Sequence, residues 1–183
     1  MIDIKFKNET YSIKNKIEEI VIKDFEQIIN ILNDKSKDFI EKWSDIFIFL
    51  GVPNEVIDNF DIGDFINLIK QFNLTEVNTK EIKKSITFNG IEYFAYEDAF
   101  KLTVKETILI ESYIKKNDNR YLGELISIVY KNPEVSKDIN FDKAHIHHKA
   151  EMIRKEITAD IALPIIAFLS KKLINDFNPI IND

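Results

Sequence analysis

Apolar and polar positions along the chain follow a pattern that repeats after 82 residues. When the sequence is shifted by that distance, Ile4 and Phe6 coincide with Ile86 and Phe88. The same offset continues without a gap over about forty-five positions, where it also pairs these residues: Tyr11 with Tyr93, Ile28 with Ile110, Leu32 with Ile114, and Ile46 with Ile128. Such self-similarity predicts an internal duplication of one structural unit.

The match then resumes at a different distance. An offset of 96 aligns residues 64–72 with residues 160–168, so the second copy holds fourteen extra residues between Tyr130 and Ile157. We predict a first repeat over residues 1–82 and a second repeat over residues 83–183, with an insertion around residues 131–157.

Each copy opens with an alternating segment that is typical of a β-hairpin. Residues 86–94 alternate around Asn89-Gly90, a pair that tolerates positive φ in a two-residue turn. Residues 4–13 alternate similarly, and we place their turn at Asn8-Glu9. The sequence therefore predicts two hairpins.

Helical spacing follows both hairpins. Thr103 and Glu106 have the spacing of a capping box, which predicts the start of a helix. An apolar stripe predicts a second helix over Asp38–Leu50, which Gly51 and Pro53 bring to an end.

A closing helix is predicted in each copy, near Asp61–Phe72 and near Thr158–Ile174, the latter kinked or started by Pro164. A hairpin and three helices of about 80 residues bury little surface alone. We therefore expect one pseudo-symmetric, mainly helical α+β domain, in which the hairpins join one sheet or each lie on the other copy's helices. We expect its core to include six large side chains: Trp43, Phe47, Phe65, Phe72, Phe168 and Leu169.

Composition excludes several classes of protein. The 183 residues include 25 basic and 31 acidic side chains, giving a formal charge of −6, and no cysteine. Because no long basic stripe is present, we do not expect direct nucleic-acid binding. No apolar run approaches the length of a membrane span, and the N-terminus lacks a signal-peptide pattern, so we expect neither. Without cysteine the chain has no disulfide, thiolate zinc site or cysteine nucleophile.

The charge is distributed unevenly. Residues 1–82 carry 10 basic and 16 acidic groups, whereas residues 83–183 carry 15 of each. An acidic half and a neutral half favour head-to-tail packing over packing of like patches, although chance gives such a distribution equally well.

The sequence shows no recognisable catalytic motif. Its four glycines form neither a GxGxxG nor a GxxxxGK[ST] phosphate loop. There is no GxSxG elbow, and the order of Ser, Asp and His residues suggests no triad. We therefore expect neither an enzyme nor a bound cofactor.

One polar cluster lies in the insertion. All three histidines, His145, His147 and His148, lie between Asp142 and Glu151. Helical spacing can place several of these side chains along one stripe. We favour a polar helix face or an assembly contact. The alternatives are a pH-sensitive contact and a metal site, since neutral imidazoles bind zinc, and the last would make the protein a metal-dependent enzyme.

Several stretches resemble small tail- and neck-associated proteins of tailed bacteriophages. These are the opening at residues 4–13, the helix start Lys101-Leu-Thr-Val-Lys-Glu106, and the helix end and turn at residues 49–58. The stretches 149–154 and 160–168 fit the same resemblance. The abundance of Lys, Ile and Asn is similar to that of proteins from crAss-like phages of gut Bacteroidetes.

The resemblance implies a structural virion protein, assembled in the bacterial host cytoplasm. Its expected form is a ring of about twelve copies between portal and tail, in contact with the portal and other neck or tail proteins. The alternative within phage biology is a tail-assembly chaperone that is not retained in the particle.

The insertion is where we expect partner contacts, because the repeated pattern does not require it. We predict that Tyr130–Lys143 is an exposed loop. We also predict that Asp142–Ile157 is a helix whose polar face touches a neighbouring subunit or another virion protein.

Overall fold

The computed structural model describes residues 1–72, 82–95, 102–115 and 121–169. These residues mix strands with a majority of helices, which confirms the predicted α+β, mainly helical class. The strands form two separate sheets, so the expectation that both hairpins join one sheet is wrong within the described residues. No helix in these segments combines the length and apolar character needed to cross a membrane.

The chain divides into two compact units. The first comprises Met1–Ile20 and Asp24–Glu76, and the second comprises Val21–Lys23 and Val77–Asp183. The boundary between the units therefore falls inside the helix that begins at Ile22, because Val21–Lys23 belongs to the second unit.

The first unit begins with a two-stranded antiparallel sheet and continues with helices. Its elements are β1 (Ile2–Phe6), β2 (Glu9–Ile13), a short 3-10 helix (Ile17–Glu19), α1 (Ile22–Asn33), α2 (Phe39–Phe49), α3 (Asn54–Asp58) and α4 (Ile62–Gln71).

The second unit begins with a hairpin that gains a third, two-residue strand. Its described elements are β3 (Ser85–Phe88), β4 (Ile91–Ala95), α5 (Val104–Lys115), α6 (Leu122–Val129), β5 (Tyr130–Lys131), α7 (Ser136–Ile139), α8 (Lys143–Glu156) and α9 (residues 159–169).

The two hairpins have the same strand register. Ile4 pairs with Tyr11 in the first, and Ile86 pairs with Tyr93 in the second. Each isoleucine is buried, whereas the residue that follows it on the strand is exposed. Both predicted hairpins are thus confirmed.

The first turn lies one residue earlier than predicted. Phe6 pairs with Glu9, so the turn consists of Lys7 and Asn8, and the placement at Asn8-Glu9 is wrong. Lys7 has a φ of 54°, while Asn89 and Gly90 in the second turn have φ of 50° and 71°. The sequence misled because lysine rarely occupies the left-handed region that asparagine and glycine tolerate.

The predicted helices are present with small changes of boundary. Asp38 caps α2 in a full capping box with Glu41, and Gly51 follows the helix with a φ of 102°. The Thr103–Glu106 capping box is also confirmed, since each residue's backbone N–H donates to the other's side chain. Asp61 caps α4.

The closing helix of the second unit, α9, is helical over residues 159–169, including Pro164. Residues 170–174 of the predicted helix lie outside the described residues.

Four of the six predicted core side chains are buried: Phe47, Phe65, Phe72 and Leu169. Phe168 is 43% exposed, and the prediction for it is wrong. Ile165 and Leu169 occupy the inner face of α9 one turn apart, so the adjacent position 168 points outward.

Trp43 is only partly buried, so its placement in the core is also corrected. It packs edge-on to Phe72 at 5.5 Å between ring centroids and lies 5.8 Å from Phe47. The indole therefore closes the edge of an aromatic cluster whose centre is Phe47.

The helices α6 and α8 approach closely at Gly123. A Cβ atom there would lie 2.9 Å from the carbonyl oxygen of Ala150 and 3.0 Å from Cγ of Arg154. Only glycine permits this approach without displacement of backbone atoms. The close packing places the buried side chains of the two helices within reach of each other.

The predicted exposed loop over Tyr130–Lys143 is wrong. Tyr130 and Lys131 form β5, which pairs with β4, and both side chains are buried. A short helix, α7, follows. The predicted helix over Asp142–Ile157 is confirmed as α8, with Asp142 as its N-cap. The polar residues of the insertion suggested a surface segment. In the structure, several of them pair with each other inside the second unit.

The segment Val21–Lys23 takes part in the second unit through backbone contacts. Val21 forms an isolated antiparallel bridge with Thr158, and the N–H of Ile22 donates to the carbonyl oxygen of Ile157 at 2.9 Å. The Ile22 side chain is fully buried. The start of α1 is thereby held against the residues that precede α9.

Candidate functional site

A cluster of paired charges lies within the second unit, between α7 and α8. The Lys149 ammonium donates to a carboxylate oxygen of Asp138 at 2.7 Å and to the carbonyl oxygen of Tyr130 at 2.8 Å. The Nε2 atom of His145 lies 2.8 Å from the same oxygen of Asp138. The backbone N–H of Asn132 donates to the other carboxylate oxygen at 2.9 Å. Asp138 is therefore satisfied at both oxygens.

Local sequence explains how these groups meet. His145 and Lys149 are four residues apart, so they lie one turn apart on the same face of α8. Asp142 fixes the start of that helix by accepting a hydrogen bond from the His145 backbone N–H at 3.1 Å. That hydrogen bond holds the pKa of the Asp142 carboxyl below its usual value.

Burial determines the electrostatics of Lys149. Desolvation lowers the pKa of its ammonium, while the hydrogen bond and charge of Asp138 oppose that shift. The ammonium also lies 4.9 Å from the centroid of the Tyr93 ring, where a cation–π contact contributes.

A second buried carboxylate, Glu124 of α6, holds α8 from the other side. Arg154 forms an ion pair with Glu124 and a further ion pair with Glu151 at 2.7 Å. The Nδ1 atom of His147 lies 3.2 Å from Glu124, and its ring stands edge-on to that of Tyr113. Charged side chains of α8 thus pair with residues of both α6 and α7.

The third buried pair joins Lys131 of β5 to Glu106 of α5, whose carboxylate also completes the capping box. A cavity of about 10 Å³ lies beside this pair. It is lined by Glu106, Lys131, Asp138 and Ser127, and its volume corresponds to about one water molecule. The hydroxyl of Ser127 has no hydrogen-bond partner among the described residues.

The structure separates the five predicted site residues into two groups. His145 and His147 contact Asp138 and Glu124 of the second unit, and Asp142 caps α8. His148 and Glu151 are exposed on α8, and the side chain of His147 is 45% exposed. The cluster therefore does not form a single outward stripe, and its role as an assembly contact stays a prediction.

Metal binding finds no geometric support in the described residues, where no group of three or more His, Asp or Glu side chains converges on one point.

Sequence reasoning missed the groups that carry the buried pairs, Asp138, Lys149, Glu124 and Glu106. A signal for one of them was present. Lys149 falls in the apolar stripe of α8 formed by Ile146, Ala150 and Ile153, and a charged residue in such a stripe predicts a buried partner.

This arrangement of buried ion pairs can hold the surrounding helices in place. The carboxylates of Glu106, Asp138 and Glu124 each face a cation, and the adjacent cavity is too small for a substrate. Paired charges of this kind fix the mutual orientation of secondary structure at little net gain in stability. The groups available for binding must therefore be sought on the surface.

Among the described residues, exposed apolar side chains lie on α2, α4, α5, α9 and β4. On α4, Ile62 and Ile66 are exposed beside Asp61 and Asp64, and we call these four residues the α4 surface. On α5, Val104 and Ile108 are exposed beside Lys105, and we call these three residues the α5 surface. Neighbouring exposed apolar residues rimmed by charge are the kind of surface that protein contacts use.

No protein family matches the chain, and no curated protein or solved structure is significantly similar to it.

Proposed function

We propose that this protein is a structural subunit of a tailed-phage virion, part of a ring between portal and tail, and acts by protein–protein assembly without catalysis. The observation that carries the proposal is the pair of apolar surfaces on α4 and α5, because each combines neighbouring exposed isoleucine or valine side chains with charge. The choice of a tailed-phage virion as the particle rests on the resemblance to small tail- and neck-associated proteins.

Internal duplication is part of the proposal. In its support, the helices α1 (Ile22–Asn33) and α5 (Val104–Lys115) begin 82 residues apart, as the paired strands of the hairpins do. Ile28 and Ile110 are buried at equivalent positions. A duplicated subunit has two related edges, which suits a ring in which each copy contacts two neighbours.

Charge supports a head-to-tail ring. Residues 1–82 have a net charge of −6, and residues 83–183 have none. A face-to-face dimer that joined the acidic halves would bring like charges together, whereas a heterologous contact joins an acidic half to a neutral one. The partners in this proposal are further copies of the chain, the portal, and other neck or tail proteins.

An alternative function, that of a tail-assembly chaperone, is favoured by a groove in the first unit. The groove has a volume of about 430 Å³ and lies between α1 and α2. Ile31, Ile48 and Phe49 contribute its apolar lining, and its rim holds Asp34 and the ion pair of Lys37 with Asp45. An open groove of that composition suits an amphipathic segment of another protein.

Quantitative mass spectrometry of purified particles tests the proposal. A ring subunit is retained in mature virions at a fixed ratio to the portal protein. A chaperone is abundant in the infected cell and co-purifies with a tail protein, but is missing from the particle. Absence from mature virions would overturn the structural role, and recovery with an unassembled tail protein would then favour the chaperone.

A further inference from the structure

The α5 surface exposes two apolar side chains at positions whose equivalents in the first repeat, Ile22 and Glu26, are buried. Val104 is 76% exposed and Ile108 is 61% exposed. Under the 82-residue offset, Val104 corresponds to Ile22, which is fully buried. Ile22 is covered because the segment that contains it lies against Ile157 and Thr158 in the second unit.

The residues at the start of α9, against which Val21–Lys23 lies, also have exposed equivalents in the first repeat. Under the 96-residue offset, Thr158 corresponds to Ile62 and Ala162 corresponds to Ile66. Ala162 is fully buried, whereas Ile66 is 38% exposed and Ile62 is 57% exposed. Within one chain, Val21–Lys23 contacts the residues at the start of α9. The positions equivalent to the two sides of this contact, on α5 and on α4, are both exposed.

The charges of the two uncovered halves are complementary. Lys105 is exposed next to Val104, and it corresponds to Lys23 in the first repeat. Asp61 and Asp64 are exposed on either side of Ile62. A lysine facing two aspartates steers the association and opposes the pairing of two α4 surfaces with each other.

We propose that the α5 surface of one chain docks on the α4 surface of a second copy. The interface repeats between chains the contact that Val21 and Ile22 make with Ile157 and Thr158 within one chain. Because the two surfaces differ, the contact is heterologous, and after it forms one chain keeps a free α4 surface while the other keeps a free α5 surface. Successive copies then close into a ring or extend as a filament. The inference rests on the duplication and self-assembly in the proposed function, and it adds the contacting residues.

Cysteine cross-linking tests which surfaces meet, and the chain offers no background because it contains no cysteine. One preparation carries Val104→Cys and the other Ile62→Cys. When the two are mixed and oxidised, a disulfide between chains should form, since the contact brings the Cα atoms within about 7 Å. A matched control mixes Phe39→Cys with Phe94→Cys, two other exposed apolar positions. Equal yields from both mixtures would overturn the inference.

Charge reversal supplies a second measurement in the protein without cysteine. Lys105→Glu and Asp64→Lys should each weaken self-association about tenfold in analytical ultracentrifugation, and the double variant should recover most of the loss. Both positions are exposed, so circular dichroism should show unchanged folding. A chain that remains monomeric at its highest soluble concentration, or charge variants that associate as wild type does, would overturn the interface.

The outcomes separate this inference from the proposed function. Particles that contain the chain, together with negative cross-linking, overturn the interface alone. Specific cross-linking of a chain that is absent from virions supports the interface and overturns the virion role.

Discussion

Lys149 and Asp138 form a hydrogen-bonded ion pair at 2.7 Å, and 1% and 2% of their side chains are exposed. Taking two charges out of water costs several kcal/mol per ion, which the attraction between them roughly offsets. The pair is therefore of little net value when intact, but removing Lys149 leaves a buried carboxylate whose partners among the described residues are the His145 ring and the Asn132 N–H alone.

Replacing Lys149→Met should destabilise the protein by about 3–5 kcal/mol, because Asp138 then remains buried and charged. Urea unfolding followed by circular dichroism measures the loss. Lys143→Met is the matched control, since Lys143 is exposed on the same helix and should change stability by less than about 0.5 kcal/mol. Equal effects of the two substitutions would contradict the buried pair.

Two buried tyrosines should make the protein sensitive to alkali. Burial raises the pKa of Tyr113 and of Tyr130 from 10.0 to about 12. Between these values the unfolded chain has released protons that the folded protein keeps, so the free energy of unfolding falls as pH rises. Urea unfolding below pH 10 and near pH 12 measures the decline. It should be smaller in Tyr130→Phe, and an identical decline in that variant would contradict the assignment.

The same tyrosines should respond differently to loss of the hydroxyl at neutral pH. The Tyr130 hydroxyl donates to the carbonyl oxygen of Lys83 at 2.7 Å, whereas that of Tyr113 has no partner among the described residues. Tyr130→Phe should cost about 1 kcal/mol, while Tyr113→Phe should be neutral or stabilising. Thermal unfolding of both variants tests this, and a larger loss for Tyr113→Phe would refute it.

Gly123→Ala should destabilise the protein by about 1–3 kcal/mol, because its new methyl group meets the Ala150 carbonyl, which cannot move without the helix. Gly123→Val should cost more, since the loss grows with the volume inserted between α6 and α8. Denaturant unfolding ranks the two variants. A stabilising Gly123→Ala, as expected for an open helix surface, would show that the helices do not approach closely there.

Replacing the first turn with the sequence of the second should stabilise the hairpin. The change is Lys7→Asn together with Asn8→Gly, and it should add up to about 1 kcal/mol because lysine is strained at its φ of 54°. The change also removes the ion pair of Lys7 with Glu55, which is exposed and contributes little. Glu55→Gln alone controls for that loss. A lower thermal midpoint for the turn variant would contradict the strain.

Local signals in the sequence predicted much of the fold. Capping residues and helical stripes placed α2, α4 and α8 correctly, because these features act within one turn of the chain. The strand Tyr130–Lys131 was missed, since two residues carry no alternating pattern and pair only because β4 lies nearby. Phe168 and Leu169 point about 100° apart on α9, and only Leu169 lies on the face that it shares with Ile165, which helical spacing alone does not reveal.

The buried pairs were less predictable. His145 and His147 stood out as rare residue types, yet their partners Asp138 and Glu124 are common acidic residues 7 and 23 positions away. Partners at such distances are selected by packing between helices, which a single sequence does not encode locally. The burial of Lys149 was predictable, because a position within an apolar stripe of a helix normally faces the core.

Residues Val21–Lys23 belong to the second unit although the rest of that unit lies much later in the sequence. The ribosome completes them long before Ile157 and Thr158 emerge, so the segment must wait for its partner until the residues between them have been translated. The second unit therefore cannot be obtained by expressing residues 77–183 alone without leaving the start of α9 uncovered. A peptide supplied in trans, or a circularly permuted chain that carries the segment, would be required to restore it.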